Sequence, residues 1–160
     1  MSRINKHWLL TGCVLAIALG AGWFWYERHL TDIGADPTDP ELVAVGSSVY
    51  VQRCASCQGA HLEGQPDWQT HLPNGRLPAP PHNAEGHTWH HSDRQLFGMT
   101  KNGPSSIVPG YQSDMPGFKD QLTDREIWAV LAYIKSTWHS DIRARQERIN
   151  QQAEVTRAQK

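Results

Sequence analysis

The stretch CASCQGAHLEG at 54–64 decides how the rest of the chain is read. Cys54 and Cys57 stand three positions apart, and the bland reading of such a pair is a structural or redox dithiol. The sharper reading is an attachment site for a cofactor or a metal. The third cysteine, Cys13, lies alone in an apolar N-terminal run, so the set does not form a disulfide framework. Working upstream, Asp39 suits a helix N-cap and Pro40 the first helical position. Leu42, Val45, Val49 and Tyr50 then recur at helical spacing, with Gly46 as a flat spot where another helix can approach closely. This helix runs directly into Cys54.

Downstream, residues 59–86 are rich in Pro, Gly, Asn and His and read as irregular loops, including the stiff Pro78-Ala79-Pro80-Pro81. Ser92 with Gln95 makes a capping box that starts a short helix carrying Leu96, Phe97 and Thr100, stopped by Asn102-Gly103-Pro104. A second loop, 105–121, contains Tyr111 and Ser113-Asp114-Met115-Pro116-Gly117-Phe118. Thr123 with Glu126 opens the strongest helix, whose apolar face is Ile127, Val130, Leu131, Ile134 and Trp138. After Ser140 the chain is almost wholly polar and reads as a solvated helix or frayed tail. No repeat and no alternating strand pattern occurs. The fold class is all-α.

At 160 residues the chain has room for one compact domain plus extensions. A formal net charge of −1 and the lack of any basic run speak against a nucleic-acid partner. The seven Trp and ten Pro suggest a core of large aromatics joined by stiff loops.

Residues 8–26, WLLTGCVLAIALGAGWFWY, carry no charge. At about 1.5 Å each they span roughly 28 Å as a helix, enough to cross a bilayer core. Arg3 and Lys6 precede them, which keeps the N-terminus in the cytoplasm and exports the chain beyond Tyr26. Trp23, Trp25 and Tyr26 cluster at the far end, where amphipathic rings favour the membrane interface. An uncleaved signal-anchor is the preferred reading, with signal-peptide cleavage as the alternative. Leu10-Thr11-Gly12-Cys13 also resembles a lipobox, although little hydrophobic sequence precedes it. The expected organisation is a signal-anchor or transmembrane helix at 1–26, a linker at 27–40, a helical domain at 41–140 and a polar C-terminal tail at 141–160. The expected location is a single-pass inner-membrane protein with its domain facing the periplasm.

The ordered set of helix, C-x-x-C, Pro-rich loop, short helix, S-D-M-P-G-F loop and final helix resembles a class I c-type cytochrome. The resemblance covers 42–138 and rests on CASCQGAHLEG, SDMPGF at 113–118 and LTDREIWAVLAYIKSTW at 122–138. It implies one covalent haem c held by Cys54 and Cys57, with Met115 as the distal iron ligand. A thioether on one face of a Met/His haem helps raise its reduction potential. It also implies that Gly46 and Tyr50 meet Trp128 and Tyr133 where the first and last helices cross. The function implied is single-electron transfer without substrate turnover, between redox partner proteins of a respiratory chain.

One position departs from the family pattern. Where the signature C-x-x-C-H has its proximal histidine, this chain has Gln58. Four accounts compete. Haem is attached with Gln58 or water beneath the iron; another histidine, His61 being the nearest, replaces it; haem is absent and the domain is a structural or assembly module; or the glutamine is a single-base change from an ordinary member. A weaker alternative is a His-rich periplasmic metal-binding protein built on His82, His87, His90 and His91, since imidazole binds Cu and Zn readily. A Cys54/Cys57/His61 zinc site lacks a common spacing, and a thioredoxin-like dithiol lacks its βαβ context.

Overall fold

The Asp39 carboxylate accepts hydrogen bonds from the backbone N–H groups of Glu41 (2.9 Å) and Leu42 (3.1 Å), which sets the start of the first helix. The computed structural model describes Gly20, Gly22, residues 34–108 and residues 110–159. Within them α1 spans Pro40–Arg53 and α2 is the single turn Ala55–Gln58. Next come α3 (Asp93–Asn102), α4 (Asp124–Ser136) and α5 (Ser140–Ala158), with short 3-10 turns at Thr88–His90 and Pro104–Ser106. The described residues contain no strand, as the all-α expectation requires. The proposed membrane segment at 8–26 lies outside the described residues apart from Gly20 and Gly22. No helix among the described residues is long and apolar enough to cross a membrane.

The core is the crossing of α1 and α4, the largest helix–helix contact in the domain. Both expected faces are at work. Leu42, Val49 and Tyr50 of α1 are buried against Ile127, Val130, Leu131 and Ile134 of α4, with Trp138 closing the end. The backbones touch at Gly46: a Cβ placed there would lie 1.9 Å from the Ala129 carbonyl oxygen. Only glycine allows that approach. The expected aromatic partners at the crossing are half right. Tyr50 meets Tyr133 with ring centroids 5.4 Å apart, but Trp128 turns away and stacks on Phe97 of α3 at 4.3 Å. Trp128 follows Ile127 by one residue, about 100° round the helix, and so faces α3 rather than α1.

Both capping boxes form. The Ser92 hydroxyl accepts from the Gln95 N–H and the Thr123 hydroxyl from the Glu126 N–H, with each acidic or amide side chain reaching back to its cap.

The polar stretch after Ser140 is not a frayed tail. It is a 19-residue helix docked by Ile142 and by Gln146, which is only 1% exposed. The Asp93 carboxylate is the centre of this contact. It accepts from Lys135 Nζ (2.6 Å), Gln146 Nε2 (2.6 Å) and Asn150 Nδ2 (3.1 Å), while the Asp93 N–H donates to Asn150 Oδ1 (2.7 Å). The Lys135 side chain is 8% exposed, so its ammonium has little water around it and Asp93 supplies the missing partner. Asp93→Asn is expected to lower stability by about 2 kcal/mol through the loss of a buried charge-assisted pair. Thermal unfolding checks it, and an unchanged midpoint would show that the network contributes nothing net.

Candidate functional site

The α1 helix ends at Arg53, and the next turn carries Cys54, Cys57 and Gln58 at positions i, i+3 and i+4. On a helical turn these three share one face. The turn is intact, since Gln58 N–H donates to the Cys54 carbonyl at 2.9 Å and Cys57 N–H to the same oxygen at 3.1 Å. The face grades from solvent to interior: Cys57 is exposed, Cys54 half-buried and Gln58 buried. The two thiols are free. Burial pushes the Cys54 thiol up to about 11, with the neighbouring Cys57 adding to the shift.

The backbone around Gln58 is pinned on both sides. The Tyr50 hydroxyl, wholly buried on α1, donates to the Gly59 carbonyl (2.7 Å) and more weakly to that of Gln58 (3.3 Å). Gly64 N–H donates to the Gln58 carbonyl at 2.8 Å. The Gln58 side chain has no such support. Its Oε1 is the one buried side-chain oxygen or nitrogen without a hydrogen-bond partner among the described residues. A buried acceptor left in that condition costs about 1–3 kcal/mol, and native folds explain each case with an ion, a water or a function.

The loops after this turn are clamped over it. Gly64 has φ of +71°, and a Cβ there would fall 2.6 Å from Pro81 N and 2.7 Å from the Ala79 carbonyl, so the Pro-rich stretch lies directly against it. His82 ties that stretch in place. Its N–H donates to the Leu62 carbonyl (2.9 Å), its own carbonyl accepts from Trp138 Nε1 (2.7 Å), and its Nδ1 pairs with the Thr88 hydroxyl (2.8 Å).

Burial pushes His82 down to about 4, and neighbouring His87 adds to the shift. The unfolded chain therefore takes up a proton below about pH 6.5 while the folded chain resists until about pH 4. The contribution of His82 to stability is complete above pH 6.5. It falls by about 1.4 kcal/mol per pH unit below that, for a total of about 3 kcal/mol. His87 and His91 are lowered too, by burial first and then by neighbouring histidines, and act with the same sign. Unfolding midpoints at pH 7 and pH 4.5 should thus differ less for His82→Gln than for the parent. Equal differences would remove His82 from the explanation.

The His-rich stretch does not assemble a metal site. His87 stacks on Trp68 (5.6 Å) and meets His91 edge-on (5.6 Å), while His90 lies against Trp89 (3.8 Å). Among the described residues no group of three or more His, Cys, Asp or Glu is placed to hold a metal ion. That speaks against both the copper or zinc reading of 82–91 and a Cys54/Cys57/His61 zinc site. His61 is exposed, whereas Gln58 at the inner end of the Cys54–Gln58 face is buried, and the His61 backbone N–H donates to the Glu63 carboxylate (2.7 Å).

Met115 sits half-buried in the loop between α3 and α4, its N–H donating to the Ser113 hydroxyl (3.1 Å). This loop is fixed at its far side by Phe118 N–H to Thr100 carbonyl (3.0 Å) and Lys119 N–H to Lys101 carbonyl (2.9 Å). The buried Phe118 anchors it to the core. Asp114 pairs with Arg76, which joins it to the Pro-rich loop. Sequence reasoning missed the lock made by the Tyr50 hydroxyl and the clamp made by His82. Tyr50 falls on the apolar face by spacing, but its hydroxyl contact to residues eight and nine positions on has no local signal.

The residues present suit a haem. Two free thiols lie at the rim of one face, and an unsatisfied buried acceptor oxygen lies at its inner end. A family model described as Cytochrome c matches residues 43–138, from the first turn of α1 to Trp138, and leaves α5 outside. No curated protein and no solved structure matches the chain. With most of the chain covered, and with the α1–α4 crossing and the C-x-x-C turn in place, the protein belongs to the cytochrome c family, whose members carry covalently attached haem c.

Proposed function

We propose that the chain is an electron carrier tethered to the inner membrane by residues 8–26. Its domain faces the periplasm and serves redox partner proteins of a respiratory chain. The observation that carries the haem-binding part is the single face formed by Cys54, Cys57 and Gln58, with a buried acceptor atom that no group among the described residues satisfies. When bound, the haem supplies an iron that takes up and gives back one electron. The chain's own residues do the holding. Cys54 and Cys57 would hold the ring through thioether bonds at the end of α1, and Cys57 lies at the surface, where a partner can approach. Met115 would offer a soft thioether to the iron, chemistry that favours the reduced state. Tyr50 and Gly64 hold the main chain of Gln58 so that its carboxamide stays inside.

Support for the tether comes from the uncharged run at 8–26 and the preceding Arg3 and Lys6. Intact mass together with a pyridine haemochrome assay on protein purified from membranes tests the whole reading. The expected result is one covalent haem on a chain that retains residues 1–26. A colourless protein with two free thiols would favour the alternative, a haem-free structural or assembly module, for which Gln58 is the motive.

A further inference from the structure

We propose that the groove between α3 and α5 docks the domain on an anionic phospholipid surface, that of the bilayer holding its own tether. The inference rests on the tethered reading above for the nearness of that bilayer. The groove belongs to α5, the helix that the family match leaves outside.

Its two walls are set by contacts already described. Gln146 and Asn150 hold the first half of α5 on Asp93, at the start of α3. The second half of α5 then runs past Ser92, Arg94 and Gln95 and leaves an open groove of about 690 Å³. Ile107, from the turn after α3, joins Ile149 and Ala153 of α5 in giving it an apolar lining. The charged residues are Arg94, Arg145, Arg148 and Arg157 against one carboxylate, Glu154. Glu154 is shared between Arg94 (3.5 Å) and Arg157 (2.6 Å). Arg145 and Arg148 have no carboxylate partner among the described residues. The Arg145 guanidinium lies 5.9 Å from the Trp89 ring centre.

Charge, apolar side chains and reach together choose the occupant. Residues 34–139 carry eleven Asp and Glu against seven Lys and Arg. An anionic surface therefore repels most of the domain and attracts this face, which selects one orientation. Ile107 and the adjoining Val108 are exposed, as is Val155, which lies two turns beyond Arg148 on the same side of α5. Guanidinium forks interleaved with apolar side chains match phosphate headgroups lying over acyl chains. A soluble acidic chain offers the charge without the acyl layer. Residues 27–33, between the uncharged run and the buried Ala35, span at most about 25 Å. Over so short a leash the bilayer is present at high effective concentration.

The test uses the full chain in vesicles, and neither of its readouts needs haem. Flotation with phosphatidylcholine vesicles in high salt reads the tether. Amide hydrogen exchange over residues 145–157 reads the docking, compared between phosphatidylcholine alone and an equimolar mixture with phosphatidylglycerol. On the mixture that exchange should slow on the order of tenfold, with residues 127–134 unchanged. The slowing should vanish in high salt and in the double variant Arg145→Glu/Arg148→Glu. Both side chains are exposed, so the variant keeps the fold. Equal exchange on the two vesicles, with the chain afloat on both, would overturn the docking and leave the tether. A chain that does not float on phosphatidylcholine but is slowed by the mixture would overturn the tether and support the docking. Slowing by soluble polyglutamate and not by the mixture would assign the groove to an acidic protein and overturn the lipid reading.

Discussion

Gly46→Ala is expected to destabilise the domain by about 3 kcal/mol. The added Cβ would lie 1.9 Å from the Ala129 carbonyl oxygen, 2.5 Å from its carbon and 2.9 Å from the Tyr133 Cβ. Two of these atoms are backbone in the middle of α4, so no side chain can rotate out of the way. Relief requires the two helices to separate along the crossing that buries Tyr50, Ile127 and Val130. Close-packed interiors resist that, since separation forfeits contacts along the whole seam. The unfolding midpoint should drop by about 10 °C or more for a domain of this size. Gly34→Ala is the control, with nothing within 4 Å of the new atom, and should leave the midpoint where it was. A Gly46→Ala variant as stable as the parent would mean that α1 and α4 do not cross at this point.

Gln58→His is expected to have the largest functional effect. Residue 58 is already buried on the face of Cys54 and Cys57, and the histidine would place an imidazole where the carboxamide stands. An imidazole is a far better iron donor than an amide oxygen, and tighter metal binding is also folding free energy. The fraction of chains that acquire the one covalent haem should rise on the order of tenfold under expression that leaves most parent chains unloaded. The absorption spectrum should become that of a low-spin Met/His centre. The measurement is haem per chain by pyridine haemochrome, with the visible spectrum of both oxidation states. If the variant carried no more haem than the parent, the alignment of 54–58 with the C-x-x-C-H signature would be wrong.

Much of the domain is legible in the chain because its signals are local. Asp39-Pro40, Ser92 with Gln95, and Thr123 with Glu126 mark helix starts through hydrogen bonds that span three residues, and all three form. The stripe from Ile127 to Trp138 is buried as its spacing requires. The polar stretch after Ser140 reads as solvated because little in it breaks the polarity beyond Ile142 and Ile149. Its docking depends on Gln146 and Asn150, whose amides match Asp93 more than 50 positions away. A faint stripe at 142, 146, 149 and 150 is present, but polar residues give no hydrophobic period. Trp128 escapes for a related reason, because a large aromatic beside the apolar stripe can pack on either neighbouring helix.

By itself the sequence determined the starts of α1, α3 and α4, the all-α class and the family, since caps, periodicity and the C-x-x-C spacing act within a few residues. Tertiary structure decided which atoms go unsatisfied. Whether the Gln58 carboxamide finds a partner depends on where Tyr50, Gly64 and the Pro-rich loop come to lie, and those positions are set by the α1–α4 crossing. It likewise decided that the histidines of 82–91 serve packing, because a metal site needs donors converging on one point and the loop spreads them over Thr88, Trp68 and Trp89.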